Sequence, residues 1–153
     1  MLRLYGANSD QAPLAWSWVE EQLSGAGTYW VTARNQGHPH PRPVWGIWIR
    51  EQLHLSIGSP ALREAIREEP AVTVHLDSGT DVVIVEGFIL PPAPTPPALI
   101  RAYNQKYDWD YQAWQYGELT SLGPQKVLAW RTAGVAGRES FRTTGCWVFD
   151  GSR

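Results

Sequence analysis

Three arginines are the residues of this chain best suited to binding a small anion. Arg63 and Arg67 are four positions apart, so a helix would present both guanidinium groups on one face. Arg42 lies in an earlier, strand-like segment. Guanidinium groups match the paired oxygens of a phosphate or carboxylate, so the three together predict an anion cradle. The alternative is a solvated helix face on which these arginines pair with Glu64 and Glu68.

Other residue patterns do not indicate catalysis by the protein's own side chains. His38 and His40 are two apart, but no further Cys or His spacing typical of a metal site accompanies them. Ser56 lies outside any Gly-x-Ser-x-Gly sequence, and no glycine-rich phosphate loop is present. His54 is expected at the edge of the core, and Cys146 is expected to be a small buried residue. If the protein is an enzyme, a cofactor is expected to carry the reaction.

The elements that must position these residues are predicted to be mainly strands. The ranges 28–34 and 44–49 are rich in β-branched and aromatic residues, and Gln36-Gly37 between them predicts a hairpin turn. Prolines at 39, 41 and 43 place the start of the second strand at an edge or bulge, because proline cannot donate to a ladder. Further strands are predicted at 53–57, 71–76, 82–89, 126–131 and 146–149.

Helices are predicted at three places. Caps at 8–10 and Pro13 precede Leu14, Trp18, Val19 and Leu23, which follow helical spacing up to Gly25. A short helix is predicted between Pro60 and Glu68, and one or two more between Ala98 and Gly117. Six or seven short strands with few helices predict a barrel-like α+β domain that is mainly β.

Size and composition favour one soluble domain over residues 1–153. Thirteen basic residues against 15 acidic ones argue against bulk nucleic-acid binding. A single cysteine indicates a reducing cytoplasm, and neither a signal peptide nor a membrane-spanning apolar run is recognisable. Nine tryptophans are unusual; a tryptophan-rich core is the simplest explanation, and exposed tryptophans at an interface or ligand site are the alternative.

Several segments in order resemble the pyridoxamine 5′-phosphate oxidase-like split-barrel family. They are Val31–Trp45, Leu53–Ser56, Arg63 with Glu69–Leu76, Val82–Gly87, Lys126–Arg131 and Trp147–Phe149. The resemblance implies a split β-barrel of six or seven strands with peripheral helices. It also implies a homodimer that binds FMN, or in one branch a deazaflavin, at the subunit interface.

The resemblance also implies site residues. Arg42 corresponds to the arginine that contacts the cofactor phosphate, and Arg63 would face the same phosphate from the following helix. The segment Pro43, Val44 and Trp45 would run beside the ring system, and Ser56 and Ile57 would contact ring or ribityl groups. Where the oxidase itself has a lysine after the second-strand arginine, this chain has 46–48 (Gly-Ile-Trp), which argues against oxidation of pyridoxamine phosphate.

The implied activity is two-electron transfer between the cofactor and a small organic substrate, with Trp45 and Tyr107 shaping the pocket. A carrier or sensor that binds flavin or haem without turnover is the alternative. A tryptophan-lined module for carbohydrate or single-stranded nucleic acid is disfavoured by the balanced charge.

Overall fold

A computed structural model describes residues 14–131 and 144–149, which form a seven-stranded antiparallel sheet with four helices. The strands are β1 (Tyr29–Asn35), β2 (His38–Ile49), β3 (Gln52–Ser56), β4 (Ala71–His75), β5 (Asp81–Ile89), β6 (Thr120–Arg131) and β7 (Gly145–Val148). The helices are α1 (Trp16–Gly25), α2 (Pro60–Glu68), α3 (Pro97–Tyr107) and α4 (Ala113–Tyr116).

The sheet closes on itself, which confirms the predicted barrel. Its strand order is β3-β2-β1-β4-β5-β6-β7, and an additional pairing of β3 with the start of β6 completes the ring. Strand β7 pairs with the later part of β6, on the side that β3 leaves free. The sheet is therefore a barrel whose wall is split between β3 and β7.

Alternating apolar residues along the strands fill the barrel. The inward residues of β1 are Tyr29, Val31 and Ala33, and those of β4 and β5 show the same alternation. Helices α1 and α2 add their buried faces to this core. A second, smaller apolar cluster lies on the outer face of β2, where Ile47 packs with Tyr103 of α3, Tyr111 and Leu119. The later part of β2, from Gly46 to Trp48, is thus covered on both faces.

The first hairpin fits its predicted turn. Gln36 and Gly37 have φ values of 50° and 83°, the left-handed pair that a two-residue hairpin requires. Because Asn35 and His38 flank this turn as a pair, the alternate prolines of β2 direct their missing N–H positions away from β1. That edge of residues 38–44 has no strand partner in the described part of the chain, so the predicted edge position is confirmed.

Other predictions need correction or lie outside the described residues. Strand β6 begins at Thr120 rather than Lys126, because a bulge opposite Gly87 accommodates Pro124 within the ladder. The nine tryptophans divide between the two explanations: Trp48 is buried and Trp16, Trp18 and Trp147 pack against the core, whereas Trp45, Trp109 and Trp114 are exposed. The predicted caps at 8–10, Pro13 and most of the loop at 133–145 lie outside the described ranges.

Within those ranges, every helix is too short or too polar to cross a membrane.

Candidate functional site

Five of the predicted cofactor-binding residues line one groove of about 340 Å³ at the junction of β2 and β3. Antiparallel pairing sets Trp45 of β2 directly opposite Ser56 of β3, and α2 begins four residues after Ser56. The groove is lined by Arg42, Pro43, Val44, Trp45 and Ser56, together with Gly58, Ser59 and Tyr103. Tyr103 was not predicted as a groove residue, because only the folded chain brings α3 beside this hairpin.

One end of the groove is suited to an anion. The exposed Arg42 guanidinium makes one hydrogen bond, from Nη1 to the carbonyl of Pro41 at 2.8 Å, and its other donors are free among the described residues. The amides of Gly58 and Ser59, just before α2, make no hydrogen bond within the described chain either. Ser59 also caps the helix by accepting from the Leu62 amide at 3.3 Å. Free amides at a helix start beside a guanidinium group favour a phosphate or carboxylate.

The other end of the groove carries an aromatic platform. The Trp45 indole is 45% exposed and stacks on Tyr107, with ring centroids 4.7 Å apart and planes 5° from parallel. Trp109 meets the same indole edge-on at 6.1 Å. Of the two side chains expected to shape the pocket, Trp45 lines the groove, and Tyr107 lies behind the indole without lining it. One large flat surface remains for a ligand.

Side chains of α3 fix this platform by completing the hydrogen bonds of β2 at Gly46. Strand β1 pairs no further along β2 than Val44, so the Gly46 backbone lacks a strand partner on that side. The Tyr107 hydroxyl accepts from the Gly46 amide at 2.9 Å and lies 2.7 Å from its carbonyl. Lys106 Nζ donates to the same carbonyl at 3.0 Å and to the Tyr29 hydroxyl at 2.9 Å. The backbone next to Trp45 is thus held by two consecutive residues of one helix.

Burial changes the proton affinity of these groups. It lowers the pKa of Lys106 from 10.5 to about 8, since no carboxylate among the described residues pairs with this ammonium. It raises the pKa of Tyr29, with a smaller contribution from the nearby Tyr107. Burial also raises the pKa of Tyr103 to about 12, although an interaction with Ser56 opposes the rise. The phenols that surround the groove therefore stay protonated at neutral pH.

The remaining predicted arginines are engaged elsewhere. Arg63 Nε donates to the carbonyl of the buried Ile57 at 2.6 Å, and its guanidinium approaches Gly117. Arg63 and Ile57 flank the groove without lining it. Arg67 pairs with Glu64 on the exposed face of α2, as the alternative explanation of the helix charges expected. The three guanidinium groups therefore do not converge on one point, and Arg42 alone lines the groove.

Other candidate chemistry is sparse in the described part of the chain. No three His, Cys, Asp or Glu side chains of residues 14–131 and 144–149 come close enough to hold a metal ion. Cys146 is buried, as predicted. His54 lies part-buried at the middle of β3, at the core's edge as predicted, and its Nδ1 lies 2.9 Å from the Ser121 hydroxyl.

Solved structures share this fold at low sequence identity. An F420 reductase superposes with a TM-score of 0.56 at 19% identity, covering 70% of this chain and 94% of that one. A Clostridium acetobutylicum protein related to general stress protein 26, of the pyridoxinephosphate oxidase family, gives 0.61 at 8% identity, covering 86% and 92%. An FAD-binding protein from Mesorhizobium loti gives 0.57 at 15% identity, covering 74% and 90%.

No family model matches the sequence, and a comparison with curated proteins found no match. The structural comparison confirms the predicted fold, a split barrel like that of the pyridoxamine 5′-phosphate oxidase-like proteins.

Proposed function

We propose that the groove binds the flavin mononucleotide FMN, or a deazaflavin, and that the protein is an oxidoreductase acting on a small organic substrate. The observation that carries this proposal is the groove itself, in which Arg42 and Trp45 lie at opposite ends of one short strand segment. Arg42, a cation suited to a phosphate, is thus three residues from Trp45, whose indole offers a flat surface to a ring system. The names of the F420 reductase and of the FAD-binding protein support a flavin-type ligand.

The residues present fit such a group. Arg42 and the free amides of Gly58 and Ser59 would hold the phosphate, with one charge-assisted contact and two backbone donors. Trp45 would lie beside the ring system, and the hydroxyls of Ser56 and Tyr103 would meet its polar atoms. Arg63 donates a hydrogen bond to the carbonyl of Ile57, which directly precedes the groove residues Gly58 and Ser59. We therefore assign Arg63 to positioning the 57–59 segment.

When bound, a flavin or deazaflavin supplies two-electron chemistry as a hydride acceptor or donor at its ring. The protein's own part is to bind and orient the reactants. The stacked Trp45 and Tyr107 keep water from one face of the site, and the protonated phenol of Tyr103 supplies a hydrogen-bond donor. No residue of the groove has the character of a general base at neutral pH, so we assign no proton abstraction to the chain.

We propose that the complete site is formed by a homodimer. The groove of about 340 Å³ is open to solvent along one side, so enclosing most of a flavin mononucleotide requires a second wall. The surface beside the groove is unusually aromatic: Trp109, Trp114 and Tyr116 are 49%, 83% and 41% exposed. Exposed aromatic residues of this kind are typical of interfaces. Light scattering at micromolar concentration tests the proposal, and a monomeric mass contradicts it.

Cofactor binding is tested by titrating FMN and a deazaflavin into the purified chain. Loss of one charge-assisted contact lowers affinity roughly tenfold or more, so Arg42→Ala is expected to bind at least that much more weakly. Arg101→Ala is the matched control, because it removes an exposed arginine of α3 that does not line the groove. Equal affinity in wild type and Arg42→Ala would refute the assignment.

The spectrum and mass of any chromophore released from the purified protein identify the cofactor and separate flavin, deazaflavin and haem. Activity is then tested by reducing the bound cofactor and following its reoxidation by a panel of quinones, enones and nitroaromatics. Turnover with one panel member, lost in Arg42→Ala and restored by excess cofactor, supports an oxidoreductase. Reoxidation no faster than in buffer indicates a carrier instead.

A further inference from the structure

A second cavity, of about 440 Å³, lies on the outer face of the sheet and shares no lining residue with the groove. It is formed between the barrel wall where β3 pairs with β6 and the proline-rich connector that leads from β5 to α3. The strand side presents Ile49, His54, Leu119 and Ser121. The connector side presents three proline rings and Leu99 of the first turn of α3.

Hydrogen bonds hold the connector at a fixed distance from the sheet. The Thr95 amide donates to the Glu118 carboxylate at 2.6 Å, and the Thr95 hydroxyl accepts from the Leu119 amide at 2.9 Å. At the other end, the Leu90 amide donates to the Ser121 carbonyl at 2.8 Å. Proline has a fixed φ, so the chain between these anchors has little freedom to collapse. The cavity is therefore preformed, as small-molecule sites usually are.

One hydrogen-bonded polar pair lies on the strand side of the cavity, whose lining also includes Arg50, Gln52 and Thr95. His54 and Ser121 are directly opposite each other on β3 and β6, and His54 Nδ1 bonds to the Ser121 hydroxyl at 2.9 Å. Burial lowers the pKa of His54, which keeps the imidazole neutral at pH 7. Its Nε2 makes no hydrogen bond with any described residue, and it is not completely buried from solvent. This nitrogen is available to a ligand.

We propose that this cavity binds a small, flat aromatic molecule carrying a hydroxyl or carbonyl group, which hydrogen-bonds to His54 Nε2. Flatness follows from the walls, since the space between a sheet and an extended proline segment is a slot. Proline and leucine side chains line much of the slot and favour a ligand with apolar, aromatic faces. The neutral imidazole favours a hydrogen bond to a hydroxyl or carbonyl group of that ligand. An anionic substituent on the ligand would face Arg50, which lines the cavity in an exposed turn.

The test uses 6-hydroxy-2-naphthoate as the probe and 2-naphthoate, which lacks the hydroxyl, as its partner. Isothermal titration calorimetry on the full chain at pH 7.5 measures both. We expect the hydroxylated probe to bind about five- to tenfold more tightly in wild type, the value of one hydrogen bond. His54→Phe keeps an aromatic ring at this position, so it should abolish that preference. Ala93→Trp, on the exposed connector, should weaken both probes by narrowing the slot.

Arg42→Gln is the matched control, because it alters the groove and leaves the cavity intact. It should bind both naphthoates like wild type even if cofactor binding is lost, which keeps this proposal distinguishable from the proposed function. Circular dichroism melting verifies that each variant is folded. Absence of binding to wild type at millimolar probe overturns the proposal. Equal affinity of wild type for the two probes also overturns it. The proposal is likewise overturned if Arg42→Gln abolishes probe binding while Ala93→Trp leaves that binding unchanged.

Discussion

Lys106 is expected to titrate near pH 8 and to make the stability of the protein depend on pH. Its ammonium is half-buried against the rings of Tyr29 and Tyr107, 4.9 and 5.3 Å from their centroids. A tenfold change in proton affinity is worth about 1.4 kcal/mol, so a pKa lowered from 10.5 to about 8 corresponds to at most about 3.5 kcal/mol. Water screens part of this energy at a half-buried site, and we expect about 1 to 2 kcal/mol.

The direction of the effect follows from which state holds more protons. Between about pH 8 and 10.5 the unfolded chain keeps the Lys106 proton while the folded chain has released it. The free energy of unfolding therefore rises with pH across this window. Four phenols near this helix, those of Tyr29, Tyr103, Tyr107 and Tyr111, have raised pKa values, so their ionisation in the unfolded chain opposes the rise as the pH approaches 10. The range in which Lys106 dominates is therefore about pH 8 to 9.

Two measurements test this expectation. The chain has two lysines, Lys106 and Lys126, so reductive ¹³C-methylation yields two lysine signals beside that of the amino terminus. The signal that disappears in Lys106→Met should titrate near pH 8. Urea unfolding between pH 7.5 and 9 should show the rise in wild type and a flat profile in Lys106→Met.

Lys126→Met is the control, because it removes the other ammonium, which pairs with Glu86 at 2.6 Å on the barrel surface. The rise should persist in this variant. A Lys106 signal that titrates above pH 10, or an unfolding free energy that does not change with pH in wild type, would refute the reasoning. Contacts with the Gly46 carbonyl and the tyrosine rings would then outweigh the cost of burial.

Three further predictions concern stability, each measured by chemical denaturation. Gly46→Ala should cost about 1 to 3 kcal/mol, because a Cβ there would lie 2.9 Å from the His54 carbonyl; a cost under about 0.5 kcal/mol would contradict this close approach. Tyr107→Phe should cost about 1 to 2 kcal/mol by leaving both backbone groups of Gly46 without their hydroxyl partner, and an unchanged midpoint would count against that role. Glu51→Gly should stabilise the fold by about 0.5 to 1 kcal/mol, because φ at this position is 58° and glycine adopts that conformation without strain. Glu21→Gly within α1 is the control and should destabilise the fold by about 1 kcal/mol. Equal effects of the two substitutions would be inconsistent with strain at the turn.

Much of the fold was predictable because local chemistry and global structure agree. The turn at Gln36-Gly37, the alternate prolines of β2 and the cap of α2 at Ser59 each constrain the backbone in their own neighbourhood. The early part of β6 was missed because Pro124 is a strand breaker in most contexts. Its tolerance depends on Gly87, 37 positions away, where a side chain would collide with the Gly123 carbonyl.

The candidate site divides along the same line. Arg42 and Trp45 share a short strand, so the resemblance of that segment sufficed to select them. The support that Lys106 and Tyr107 give to Gly46 spans 60 and 61 positions and carries no local signal. Arg63 was selected for its charge, but the folded chain uses its Nε to hold the Ile57 carbonyl. Sequence spacing predicts which residues share a helix face, but it does not predict which hydrogen-bond acceptor a long side chain contacts in the folded chain.

The prolines of β2 have a consequence for how copies of this protein can associate. A strand whose outward positions lack N–H groups cannot accept another strand, so residues 38–44 are closed to growth of the sheet from one molecule into the next. Any pairing of subunits at this side must use side-chain surfaces rather than a shared ladder. The same chemistry protects a long exposed strand from the edge-to-edge stacking by which sheet proteins aggregate. Replacing these prolines would therefore be expected to increase aggregation more than it lowers the stability of the fold.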